Sequence, residues 1–183
     1  MRHSENYGRL IVCSESAGFM EIVSDFLTFI YRHETLFFYR YSGSEKTIFI
    51  VDRGYESYNN LAHVSEKGQY FVFRCKDVNS NGILLGSKHK LPKTMEFDCT
   101  ISLILTRKWT KEVLEHPEKY RRFRNKDSFD FADLDENPFY YMDLRVLKFP
   151  ISETDYECIL TNLPEKERSA FRVHLQFESA TVS

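Results

Sequence analysis

The run Ile48-Phe49-Ile50-Val51, followed at once by Asp52-Arg53-Gly54, restricts the fold of this chain more than any other stretch. Four consecutive large apolar residues without polar alternation predict a strand buried on both faces, the usual situation in sheets covered by helices. Asp52 then stands at the carboxyl end of that strand. Gly54 allows a turn, Ser57 or Asn59 caps a helix reaching about Lys67, and Gly68 stops it. Gln69 to Asp77, rich in aromatic and β-branched residues, reads as a second strand, and Asn79 to Gly82 closes the unit. Strand, turn, helix and strand in this order predict parallel neighbours joined by a right-handed crossover. Ligands and catalytic groups collect at the carboxyl ends of such strands.

The remainder changes character. Upstream, Phe19, Ile22, Val23, Phe26, Leu27 and Ile30 fall at helical spacing, which predicts one amphipathic helix over Ser16 to Tyr31. Leu36 to Tyr39 is a further apolar cluster, and Tyr41 to Ser44 a turn into the opening strand. Downstream, Phe97 to Thr106, Phe139 to Phe149 and Tyr156 to Leu163 read as strands. Trp109 to Lys126, charged and containing Pro117, reads as a helical interruption. The expected class is α/β (α+β), with one boundary near residue 84. An amphipathic segment 1–40 and an α/β unit 41–83 precede a mainly antiparallel β domain 84–164 and a tail 165–183.

A formal net charge of -2 gives no global pull toward nucleic acid, so any DNA site must be a local basic patch. The most basic segment is Lys119 to Lys126, where Arg121, Arg122 and Arg124 alternate with Tyr120 and Phe123. Its cations could meet phosphates while its rings stack on bases. Asp127, Asp130, Asp133, Asp135 and Glu136 follow directly, and a solvated element end neutralised by its neighbours is the competing reading. Lys88 to Lys93 is a weaker case of the same kind. Trp109 is expected to pack against the sheet rather than to contact an unstacked base, and His63 and His116 are expected to be structural. Cys13, Cys75, Cys99 and Cys158 are far apart and lack zinc-ligand spacing, the pattern of reduced thiols in a cytoplasmic protein. No apolar leader opens the chain, and Phe19 to Tyr31 is too short and too charged to span a bilayer, so no membrane partner is expected.

Asp52-Arg53-Gly54-Tyr55-Glu56-Ser57-Tyr58-Asn59, with Leu61-Ala62-His63 and Tyr70 to Asp77, resembles the bacterial insertion-sequence transposases of the DDE type, in their insertion-sequence-four-like group. The resemblance resumes at Phe129-Asp130-Phe131, Asn137 to Tyr140, Leu144 to Phe149 and Tyr156 to Leu163, and covers about two thirds of the chain. It implies a ribonuclease-H-like core with a β domain inserted after the second catalytic carboxylate. The implied activity is metal-dependent cleavage and strand transfer at transposon ends, with transposon-end and target DNA as partners. Two Mg²⁺ (or Mn²⁺) ions about 4 Å apart would stabilise attacking and leaving oxygens. Asp52 matches the family's metal-bridging aspartate. Arg74 and Lys76 match a position implied to touch DNA backbone, and their alternation lets them share a face; a solvated strand end is the competing reading. Arg53 has two readings of equal standing, a scissile-strand phosphate contact or a surface pair with Glu56.

The family site needs three acids, and Asp52 is the one recognisable here. Asp25 lies in a helical pattern before a bulky Phe26 and does not match the first. The family's Y-x2-R-x3-E-x6-K helix has no counterpart, since Arg168 to Ser183 contains no tyrosine, and Glu178 is read as a tail residue. The expectation is a partial, truncated and inactive transposase, which would not bind metal productively. The alternatives are a regulatory fragment that binds DNA or full-length transposase, and a non-functional pseudogene product.

Overall fold

The computed structural model of the chain describes residues 38–42, 47–51, 53–78, 82–84 and 90–164, and the backbone of 10–14. The helix expected over Ser16 to Tyr31, Asp25, Asp52 and the tail from residue 165 lie outside them.

The elements are β1 (Leu10–Ser14), β2 (Thr47–Val51), a 3-10 turn (Arg53–Tyr55), α1 (Tyr58–Glu66) and β3 (Tyr70–Cys75). They continue with β4 (Phe97–Thr106), α2 (Lys111–Glu115), β5 (Tyr120–Arg122), β6 (Phe139–Pro150) and β7 (Tyr156–Thr161). All seven strands join one mixed sheet in the order β1-β2-β3-β7-β6-β4-β5. β2 and β3 are parallel, as the strand-helix-strand pattern predicts, and β4 and β5 are parallel too. The other four pairings are antiparallel. The described residues thus form a mixed α/β fold with few helices.

β3 precedes residue 84 and β7 follows it, yet the two are hydrogen-bonded neighbours from Val72↔Thr161 to Cys75↔Cys158. Strands from both sides of the expected boundary therefore share one sheet. They also share one core: Phe49, Val51, Phe71 and Phe73 belong to the same buried cluster as Leu103, Leu105, Leu144, Val146 and Leu160. α1 covers this face with Tyr58, Leu61, Ala62 and Val64. Full burial of each Val, Leu or Phe among them contributes about 1.5–3 kcal/mol. The opposite face carries a smaller cluster of Val72, Ile159 and Leu163, flanked by Ile48, Ile50, Leu147 and Phe149. β2 accordingly alternates between fully and partly buried residues and packs apolar groups on both faces.

Local chemistry explains the boundaries of α1. Ser57 is extended, and its Oγ accepts from the Asn59 backbone N–H, satisfying one of the donors at the helix start. Gly68 takes φ 65°, the left-handed geometry that ends a helix cheaply only for glycine. Gly54 corrects an expectation. It has no positive φ, and a Cβ there would meet nothing within 4 Å, so the turn after β2 does not require glycine. At Gly82 a Cβ would lie 2.6 Å from Glu56 Oε1 and 3.1 Å from Lys76 Cβ, so a side chain there requires Glu56 to shift.

Two further elements differ from expectation. Trp109 to Lys126 is not a helical stretch: α2 ends at Glu115, before Pro117, and Tyr120–Arg122 form a strand beside β4. Proline removes the amide that would continue the helix. β1 was not anticipated, yet all five of its residues pair with β2.

Candidate functional site

β2 and β3 run parallel, so their carboxyl ends lie side by side. Arg53 opens the turn after β2, and Arg74 sits one residue before the end of β3. Glu157, near the start of β7, is on the face shared by Val72 and Ile159, opposite the main core. Its two oxygens are taken by different guanidinium groups. Arg53 Nη2 donates to Oε1 at 3.0 Å and Arg74 Nη2 donates to Oε2 at 2.7 Å. The Glu157 side chain is 8% exposed, whereas those of Arg53 and Arg74 are 46% and 44% exposed. A carboxylate this buried costs several kcal/mol unless compensated, and two guanidinium groups compensate it.

Glu56, the other partner proposed for Arg53, is occupied differently. It accepts from the Ile83 amide at 2.8 Å and from the Lys76 amide at 3.3 Å, tying the loop after β3 to the start of α1. Lys76 itself is exposed beyond β3.

The remaining sequence-predicted cations are not brought to this place. Arg121 faces the main core side and lies over the rings of Tyr58, at 5.9 Å, and Phe123, at 5.8 Å. Arg122 projects from the other face of the same strand, 3.9 Å over the ring of Trp109, which is 68% exposed. Neither has an acidic partner among the described residues, and the Nε of each is buried without a hydrogen-bond partner there. Arg124 pairs with Asp127, whose carboxyl sits below its usual range chiefly because the Arg124 amide donates to it. The basic segment thus spreads over two faces and a loop rather than forming one stripe.

His63, expected to be structural, is held by Asp130 Oδ2 at 2.7 Å. Asn59 donates to the same oxygen at 3.0 Å and accepts from the Asp130 amide at 2.9 Å. Asn59 also bonds the Tyr39 hydroxyl, whose ring lies against His63 with Phe131 on its edge. This network docks the loop before β6 onto α1. The histidine has no nucleophile beside it among the described residues.

The resemblance implies divalent metal, which needs convergent carboxylates. Among the described residues no group of three or more His, Cys, Asp or Glu side chains converges on an ion position. Glu157, a carboxylate beside these strand ends, has both oxygens on cations, and a dication beside two guanidinium groups is repelled. The described residues do not compose a two-ion site. Beside Glu157, Arg53 and Arg74 each leave nearly half of the side chain open to solvent.

A concavity of about 540 Å³ lies over β4, β6 and β7. Its charged groups face one another: Arg145 grips Asp98 with two bonds of 2.7 Å, and Ser102 donates to Asp143 at 2.5 Å. Among the described residues no helix is long and apolar enough to cross a membrane. No protein-family model, no curated protein and no solved structure matches this chain.

Proposed function

We propose that the chain is a DNA-phosphate-binding protein of the DDE transposase kind, in which a ribonuclease-H-like strand-helix-strand unit handles the phosphodiester backbone. The observation that carries this reading is the pairing of Arg53 and Arg74 on Glu157, at the carboxyl ends of two parallel strands. Asp52 falls in sequence between the last residue of β2 and Arg53, where a catalytic carboxylate of that family stands. Guanidinium groups match phosphate geometry, and strand ends are where such sites collect.

Cleavage and strand transfer need three acids, and one is recognisable in this chain. The isolated protein is therefore expected to bind DNA without cutting it, as a partner at transposon ends or of full-length transposase. Incubation with transposon-end DNA and Mg²⁺ or Mn²⁺ tests this: intact DNA is expected, and cleavage abolished by Asp52→Ala would overturn it. A gel shift that weakens as salt rises supports phosphate contact, and no retardation at low salt would sink the reading.

A further inference from the structure

We infer that Glu157 is a positioning residue whose carboxylate holds Arg53 and Arg74 side by side as a phosphate-binding pair. This rests on the phosphate-binding reading above and adds to it a group that no family motif assigns. One guanidinium group comes from the turn after β2 and the other from β3. Glu157 reaches them from β7, across β3, with one oxygen for each at 3.0 and 2.7 Å. The carboxylate is the buried partner and the arginines the half-exposed ones. Each arginine is thus tethered from beneath while much of its surface faces solvent.

A free arginine side chain loses rotamer entropy when it orders on a ligand. A tether that orders it beforehand removes that cost from binding. A contrary role is equally concrete: Glu157 could occupy the anion position itself and neutralise the pair. The two roles differ in sign. Removing a competing negative charge strengthens phosphate binding, whereas removing a positioning group weakens it even though the site becomes more positive.

The test uses the full chain in magnesium-free buffer. Fluorescence anisotropy with a short labelled DNA duplex compares wild type, Glu157→Gln and Glu157→Asp. Nitrogen-15 spectra of the arginine Nε groups follow a titration with inorganic phosphate. Both variants are expected to bind DNA about three- to tenfold more weakly, a loss on the scale of one misplaced charged hydrogen bond. The Arg53 and Arg74 signals of wild type are expected to move together with phosphate. Glu157→Asp keeps the charge and shortens the reach, so it decides the matter where Glu157→Gln melts at room temperature. Unchanged or tighter binding by the variants, or arginine signals that ignore phosphate, overturns the inference. Arginine signals that respond to phosphate in wild type and markedly less in Glu157→Asp, in a chain that fails to bind DNA, would instead sink the transposase reading and leave the role of Glu157 standing.

Discussion

Arg107 shows how one side chain can order a loop that has little secondary structure. Its guanidinium donates to the carbonyls of Ala132, Arg124, Asp127 and Phe129 at 2.8 to 3.1 Å. Arg107→Lys keeps the charge but cannot span four acceptors, and is expected to cost about 2–3 kcal/mol in urea unfolding. Asp130 makes a pH-dependent contribution. Burial pulls its carboxyl up, but hydrogen bonds from His63 and Asn59 outweigh this and leave it below the usual range. A depressed folded value means the stabilisation is full above the ordinary carboxylate pKa and is lost as pH falls through the depressed value. The side chain is 46% exposed, so the contribution is held to about 1 kcal/mol. Asp130→Asn is expected to lower Tm by a few degrees at neutral pH, with the gap to wild type closing as pH falls through that depressed value.

At the scale of elements, what was legible followed from composition acting locally. Ile48 to Val51, the aromatic run of β3 and the alternating β4 each declare a strand by themselves, and Ser57 and Gly68 punctuate α1. β5 was not legible, because Tyr120-Arg121-Arg122 looks like a charged helix until β4 offers its amides and carbonyls. The Glu157 clamp was hidden because its partners lie 104 and 83 residues away in sequence. The segment Thr161-Asn162-Leu163 carried part of the family resemblance, and its chemistry here is structural. Asn162 continues the β3–β7 ladder with its side chain, accepting from the Phe71 amide at 2.8 Å and donating to the Gln69 carbonyl at 2.9 Å. Thr161 Oγ donates to the Phe71 carbonyl at 2.6 Å. Asn162→Asp places a carboxylate oxygen against the Gln69 carbonyl. A loss of about 2–3 kcal/mol is expected in chemical denaturation, and an unchanged midpoint would refute the staple.

At the scale of the whole molecule, the seam between β3 and β7 matters most. The ladder and the core cluster both cross it, so neither half keeps its buried face covered without the other. Urea unfolding is therefore expected as one transition, with Trp109 fluorescence, which reports on the second half, coinciding with far-ultraviolet circular dichroism of the whole. Two separated transitions would contradict a shared core. The same seam brings Glu157 to the arginines, so the sheet that unites the chain also assembles the proposed phosphate site. The central claim, that Arg53 and Arg74 meet DNA phosphate, is tested most directly by the salt dependence of DNA binding. In a plot of log K against log salt, the double variant Arg53→Gln/Arg74→Gln should have a slope shallower than wild type by about one to two. Parallel lines for the two proteins would mean that these arginines touch no phosphate, and would contradict the account.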